Sequence, residues 1–250
     1  MILIRDSVHD SLNMIMFPEN IGASLLNVDR VLLDKIMEDV VYISKTLFEE
    51  RLVKGTFGVV SERIPGTEYV VITPTGFKKG KIVKENLVIV DLGGRVVSGN
   101  LKPSTETPMH VFIHKNIKEA NCVVHTHSPM ATVFSILGRE IPCVTPEQVF
   151  NFGGKIPIVK KYSYPGTTNI EELESIVEAL KISRAALLPK HGVIVYGETA
   201  EEALDNAILV EDIATSTVFA LILGQPEEFT EEEIRYLQKF KELRYGQKKP

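Results

Sequence analysis

The chain has 250 residues, 44% hydrophobic and 24% charged, with a formal net charge of -5. That balance fits a soluble globular protein with room for a sizeable core, and the charge leaves no basic footprint for a nucleic-acid partner. No apolar run approaches the roughly 18–20 residues of a membrane span, and the opening MILIRDSVHD lacks the apolar core of a signal peptide.

Residues 1–28 hold short apolar patches, Met14 to Phe17 and Leu25-Leu26, broken by Pro18 and Gly22. They read as a leader lying on the body or on a neighbour. Residues 29–250 read as one α/β domain, with no internal repeat or linker. Asp29 to about Leu52 is predicted helical, with Asp29 as N-cap. Leu32, Leu33, Ile36, Val40, Ile43, Leu47 and Phe48 fall near one stripe at helical spacing. Short β-rich runs follow at Tyr69–Ile72, Leu87–Val90 and Arg95–Val97, and Gly93-Gly94 marks a hairpin between the last two. A helix is predicted from Pro103 to Ala120, capped by Ser104 or Thr105. After it come a strand at Cys122–Thr126, a helix near Pro129–Leu137, a loop around Glu147 and a strand near Ile156–Val159. Three later helices carry capping-box spacing, Asn169 with Glu172, Thr199 with Glu202 and Thr230 with Glu233, and Gly224 fits a helix stop. A strand–turn–strand, Ala185–Leu188 and Val193–Val195, lies between the first two.

The strongest local signal is Cys122-Val123-Val124-His125-Thr126-His127-Ser128-Pro129. Side chains two apart on a strand share a side, so His125 and His127 can aim at one ion from the strand's end. Cys122 is three residues from His125 and faces the other way. Two histidines alone do not make a metal site, and two satisfied histidines near a strand end is the plainer reading of the pair. Zinc takes three or four protein ligands, and His191, at a junction between two apolar runs with Gly192 behind it, is the natural third. Glu106 is read at the start of a helix, where a carboxylate also suits the helix dipole. Glu106, His110 and His114 share one helical stripe, which reads either as a rival metal site or, more simply, as an exposed polar face. The two cysteines, Cys122 and Cys143, sit in apolar stretches. They indicate no disulfide framework and point to a reducing, cytoplasmic setting.

Three segments are candidate anion-binding loops: Lys54 to Gly58, Thr73 to Gly76, and Ser104-Thr105 at a helix start. Turns are commonly built from the same residues.

The stretches GTFGVVS (55–61), ITPTG (72–76), KPSTETPMH (102–110), VVHTHSP (123–129) and PKHGVIVYG (189–197) resemble, in order, those of the class II aldolase/adducin family, across about residues 30–225. The resemblance implies an α/β fold, a three-layer α/β/α sandwich around a mainly antiparallel sheet, assembled as a homotetramer with sites between subunits. It implies zinc, with manganese or cobalt as alternatives, on His125, His127 and His191. Glu106 would ligate the empty metal and act as base once substrate displaces it. Phosphate contacts are implied for Gly58, Thr75, Gly76, Ser104 and Thr105. Aldolases of the family usually carry asparagine after the glycine matched by Gly58; here the residue is Val59.

The activity so implied is reversible cleavage of a ketose 1-phosphate, a small-molecule sugar phosphate, to dihydroxyacetone phosphate and an aldehyde. Glu147, Tyr236 and Tyr245 are candidates for the second proton donor. Rival readings are a ribulose-5-phosphate 4-epimerase, a methylthioribulose-1-phosphate dehydratase and a non-catalytic adducin-like binding module. The Thr-Pro after Glu106 leans toward the epimerase, and Glu106 itself, where epimerases usually carry Asp, leans toward the aldolase.

Overall fold

A computed structural model describes residues 28–244. Apart from Val28, which packs against the core, the expected leader lies outside the described residues, as does Tyr245.

The helices are α1 (Arg30–Glu49), α2 (Thr107–Asn116), α3 (Pro129–Leu137), α4 (Pro146–Phe152), α5 (Ile170–Ile182), α6 (Ala200–Leu223) and α7 (Glu231–Arg244). The strands are β1 (Val59–Arg63), β2 (Tyr69–Ile72), β3 (Val88–Asp91), β4 (Val96–Ser98), β5 (Cys122–Thr126), β6 (Ala185–Leu188) and β7 (Gly192–Gly197). They form one sheet in the order β4-β3-β2-β1-β5-β7-β6, with every neighbouring pair antiparallel.

Strand alternation divides the core between the two faces of this sheet. On β5, Cys122 and Val124 join one cluster with residues of α1, α3 and α6. Val123 joins another with α2 and α5. All five β5 residues are buried, because helices cover both faces of this central strand. The result is the expected three-layer α/β/α sandwich with an antiparallel sheet.

Local signals account for most element starts. Asp29 caps α1 by accepting from Val31 N at 2.9 Å. The Gly93-Gly94 turn joins β3 to β4, with the Asp91 carboxylate accepting from Gly93 N and Arg95 N. Thr230 and Glu233 form the full reciprocal box at α7. Of the other two, the Asn169–Glu172 box does not form and the Thr199–Glu202 box is half-formed, because the glutamate carboxylates bond elsewhere. The Glu172 carboxylate accepts from Ser163 Oγ, and Asn169 accepts from Glu171 N instead. Thr199 does accept from Glu202 N, while the Glu202 carboxylate takes Arg184 and Glu198 N.

Three expectations are corrected. The helix read over 103–120 begins only at Thr107, since Ser104 N is bonded across to Thr73 O. The loop around Glu147 is α4, started by Pro146, with Gln148 Oε1 accepting from Val144 N and Thr145 N. Residues 156–159 form isolated bridges to Ile141 and Leu187, not a strand. The 24-residue α6 is long and apolar enough to cross a membrane by length and composition. Here it is a core helix, burying Ala203, Leu204, Ala207, Val210, Ile213 and Ala214.

Candidate metal centre

The end of β5 meets the start of β7 at the edge of the core. His125 is the last but one residue of β5, paired with Val59 on β1 and Ile194 on β7. Both flanking strands press on it, and its side chain is fully buried. His127 lies just beyond the strand, its N–H bonded to Leu52 O at 3.2 Å and its ring stacked on Phe57 at 5.4 Å between centroids. His191 sits in the tight β6–β7 turn. Lys190 adopts a positive φ of 57° there, and Ser135 of α3 holds the turn by accepting from His191 N at 3.1 Å. Gly192 is required by close approach: a Cβ there would collide with Thr126 O and lie 3.3 Å from both the His125 and His127 rings.

The three rings converge. Nε2 of His127 is 3.0 Å from Nε2 of His125 and 3.1 Å from Nε2 of His191. His125 Nδ1 is 2.8 Å from Val193 O. A carbonyl only accepts, so Nδ1 carries the proton and the Nε2 lone pair faces inward. His191 Nδ1 is held at 2.6 Å by the Tyr162 hydroxyl, whose ring also stacks on it. Burial keeps all three rings neutral, lowering His127 and bringing His125 and His191 down to about 3. Neutral imidazoles are what a metal needs.

Glu106, the N-cap residue of α2, completes the set. Its carboxylate oxygens lie 3.5 Å from His125 Nε2 and 3.6 Å from His191 Nε2. Oε1 is buried with no hydrogen-bond partner. Burial raises the Glu106 pKa, opposed by His191, His127 and Lys79. Three inward nitrogens that lie within reach of one another, beside an unsatisfied buried carboxylate oxygen, fit a divalent cation. His125, His127 and His191 could hold it.

The rival stripe resolves differently. His110 and His114 are fully buried and bind Ser61 Oγ at 2.7 and 2.8 Å. They are neither an exposed face nor, with Glu106, a second metal cluster. Glu106 turns the other way, toward the three histidines.

Two of the candidate anion segments lie side by side. Pro74 bridges Pro103, and Thr75 N donates to Lys102 O. Thr75, Gly76 and Thr105 are exposed, and Ser104 is buried with its Oγ accepting from Glu106 N. Gly58, with φ of 84°, is packed so that a Cβ would collide with Val53. Glu147 is exposed in the first turn of α4, and Tyr236 is 68% exposed on α7. Neither makes a hydrogen bond or ring contact with the three histidines.

Of three further residues next to the site, Tyr162 and Lys79 have no sequence signal, and Phe57 has one only through the Lys54 to Gly58 segment. Tyr162 orients His191 from 29 positions away, Phe57 covers His127, and Lys79 is buried near Glu106. Burial brings the Lys79 pKa down to about 8, with Glu106 opposing the shift. Only the folded chain brings them together.

The profile described as "Class II Aldolase and Adducin N-terminal domain" matches residues 38–218. The chain is 32% identical over 217 residues to the 5-deoxy-D-ribulose 1-phosphate aldolase of Bacillus thuringiensis, covering 87% of this chain and 100% of that one. It is 29% identical over 209 residues to a probable L-ribulose-5-phosphate 4-epimerase of Mycoplasma pneumoniae, covering 79% and 86%. A solved structure of an L-fuculose 1-phosphate aldolase superposes with a TM-score of 0.78 at 25% identity, over 84% of this chain and 97% of that one. The chain belongs to the class II aldolase and adducin N-terminal domain family.

Proposed function

We propose that this protein is a zinc-dependent lyase that reversibly cleaves a ketose 1-phosphate to dihydroxyacetone phosphate and an aldehyde. The observation that carries the reading is the buried Glu106 carboxylate, set beside three neutral, convergent imidazoles. Relatives named as aldolases of ketose 1-phosphates support it.

His125, His127 and His191 would hold the ion, with Glu106 as a fourth group. The three-histidine, one-carboxylate set suits zinc, and manganese or cobalt as alternatives. A bound divalent ion supplies a Lewis acid for the substrate's carbonyl and hydroxyl oxygens. Glu106 then acts as base. In the synthetic direction it takes a proton from C3 of dihydroxyacetone phosphate, and in cleavage it returns one to that carbon. Burial raises its pKa above the ordinary carboxylate value, which makes it a stronger base than an exposed glutamate. Tyr162 acts through His191 as a positioning residue. Gly58, Thr75, Gly76, Ser104 and Thr105 are assigned to the phosphate. Glu147 and Tyr236, exposed on neighbouring helices α4 and α7, are assigned as second acids reaching a site across a subunit boundary in a homotetramer. Residues 29–250 are taken as one domain, supported by the single sheet. The two free, buried cysteines support a cytoplasmic setting.

The test is proton exchange at C3 of dihydroxyacetone phosphate in heavy water, followed by NMR on metal-loaded protein. Exchange is expected, is abolished by chelator, and falls roughly 10²–10⁴-fold in Glu106→Gln. Full exchange in that variant would remove Glu106 as the base. The relative named as a probable 4-epimerase favours a second reading, epimerisation of ribulose 5-phosphate at the same site. It gains if exchange is absent and ribulose 5-phosphate is turned over.

A further inference from the structure

His125 and His191 offer their outer nitrogens to different kinds of partner. His125 Nδ1 meets Val193 O, a carbonyl fixed by its place in β7. His191 Nδ1 meets the Tyr162 hydroxyl at 2.6 Å, and Tyr162 lies in an irregular segment between Ile158 and α5. A side chain on such a segment orients a ring only as well as the segment itself is held.

Helix α5 holds it on both sides of the tyrosine. Ser175 Oγ accepts from Lys161 N at 3.0 Å. One turn earlier on the same helix face, the Glu172 carboxylate accepts from Ser163 Oγ at 2.6 Å and from Ser163 N at 3.3 Å. The Ser163 N–H lies in the peptide plane that leaves Tyr162, so this bond fixes the backbone directly behind the ring. Thr167 brings a further hydroxyl to the same carboxylate, and both Glu172 and Ser175 are buried. On its other side the segment rests on the residue before Glu106. Gly166 has a φ of 77°, and a Cβ there would come within 2.9 Å of Thr105 O. Glu172 forgoes a local bond in this arrangement. Its spacing from Asn169 is that of a capping box, yet Asn169 N donates to Thr167 Oγ1 instead.

We propose that Glu172, seconded by Ser175, is a positioning residue for the histidine cluster: it locks the backbone around Tyr162, so that the tyrosine hydroxyl keeps His191 Nε2 turned toward His125 and His127. The inference rests on the reading of that cluster as a metal site and is independent of the reaction assigned to it. Released from Glu172, the Tyr162 hydroxyl drifts from Nδ1, and the His191 ring is free to turn its Nε2 lone pair out of the cluster. Groups that orient a ligating imidazole from behind typically change metal affinity by roughly 10–100-fold.

The probe is cobalt(II), titrated into metal-free, full-length protein and followed by its visible absorption. The melting temperature of the metal-free protein is measured in parallel. Tyr162→Phe, which keeps the ring and removes the hydroxyl, should weaken cobalt binding roughly 10–100-fold. Glu172→Ala should weaken it in the same range. Glu172→Gln, which can still accept from Ser163 Oγ, should recover part of that loss. Combining Tyr162→Phe with Glu172→Ala should cost little more than Tyr162→Phe alone, because Glu172 acts through the hydroxyl already removed. Ser163→Ala gives the same reading if Glu172→Ala fails to fold. Wild-type cobalt affinity in Glu172→Ala, with only the melting temperature lowered, would reduce the residue to a clamp between helix and loop and overturn the proposal. Fully additive losses in the combined variant would overturn it too, as would a wild type that binds no cobalt. Cobalt bound as expected, with no C3 exchange, would sink the aldolase reading and leave the positioning role standing.

Discussion

Two histidine clusters lie within one protein, both buried and both held neutral, and they differ in what their nitrogens face. His110 and His114 belong to the interior. His114 Nδ1 donates to Ala120 O at 2.7 Å, so its Nε2 must accept from Ser61 Oγ–H, and Ser61 Oγ in turn accepts from His110 Nδ1–H. The chain of protons runs through the serine and leaves one lone pair, on His110 Nε2, buried without a hydrogen-bond partner. At the candidate metal centre, by contrast, the outer nitrogens of His125 and His191 are occupied by Val193 O and Tyr162, and the inner ones face each other and Glu106. Burial and a lowered pKa are common to both clusters. What separates a structural network from a ligand set is whether the free lone pairs diverge or converge.

The largest test of this contrast is metal content. His191→Ala leaves two imidazoles and a carboxylate and is expected to lose tightly bound metal, whereas Ser61→Ala should keep it. Elemental analysis after dialysis checks both, and metal retained in His191→Ala would break the distinction. Next in size is the stability of the interior network. Ser61→Ala leaves His114 Nε2 and His110 Nδ1 buried without partners, a loss on the order of 3 kcal/mol, read from urea unfolding midpoints.

The smallest effect is the pH dependence. Burial lowers His114 from 6.5 to about 3. Between those values the unfolded chain binds a proton that the folded one does not, so stability falls as pH drops through this window. His114→Gln should flatten that fall by up to about 1.4 kcal/mol per pH unit. The flattening should persist with metal bound, because this ring is not a ligand. A slope unchanged by the substitution would show that the ring is protonated in the folded protein.

Much of the scaffold was legible from local signals. Asp29, the Gly93-Gly94 turn and the Thr230–Glu233 box act within a few residues of themselves, and each does in the fold what its chemistry suggests. Strand β1 went unread because Val59 to Arg63 follows a glycine loop and is defined by its partners β2 and β5 rather than by its own pattern. The polar stripe of α2 misled for a related reason. Periodicity reports that His110 and His114 share a face, but only Ser61, 49 residues from His110, decides that this face looks inward. Glu147 was taken for a loop residue because a helix as short as α4 has little period to display.

The sequence by itself determined the candidate ligand types, the alternation that aims His125 and His127 together and Cys122 away, and the turn that lets His191 stand between two strands. These follow from bond geometry over a few residues. Antiparallel pairing of β5 with β7 decided the rest, laying His125 opposite Ile194 and so carrying His191 onto His127 across 64 positions. The same non-local packing set the Glu106 carboxylate against the rings, Tyr162 behind His191, and Lys79 against the Thr56 and Phe77 carbonyls. Those contacts join segments far apart in the chain, and hydrophobic packing of helices on both faces of the sheet, not any local propensity, holds them there.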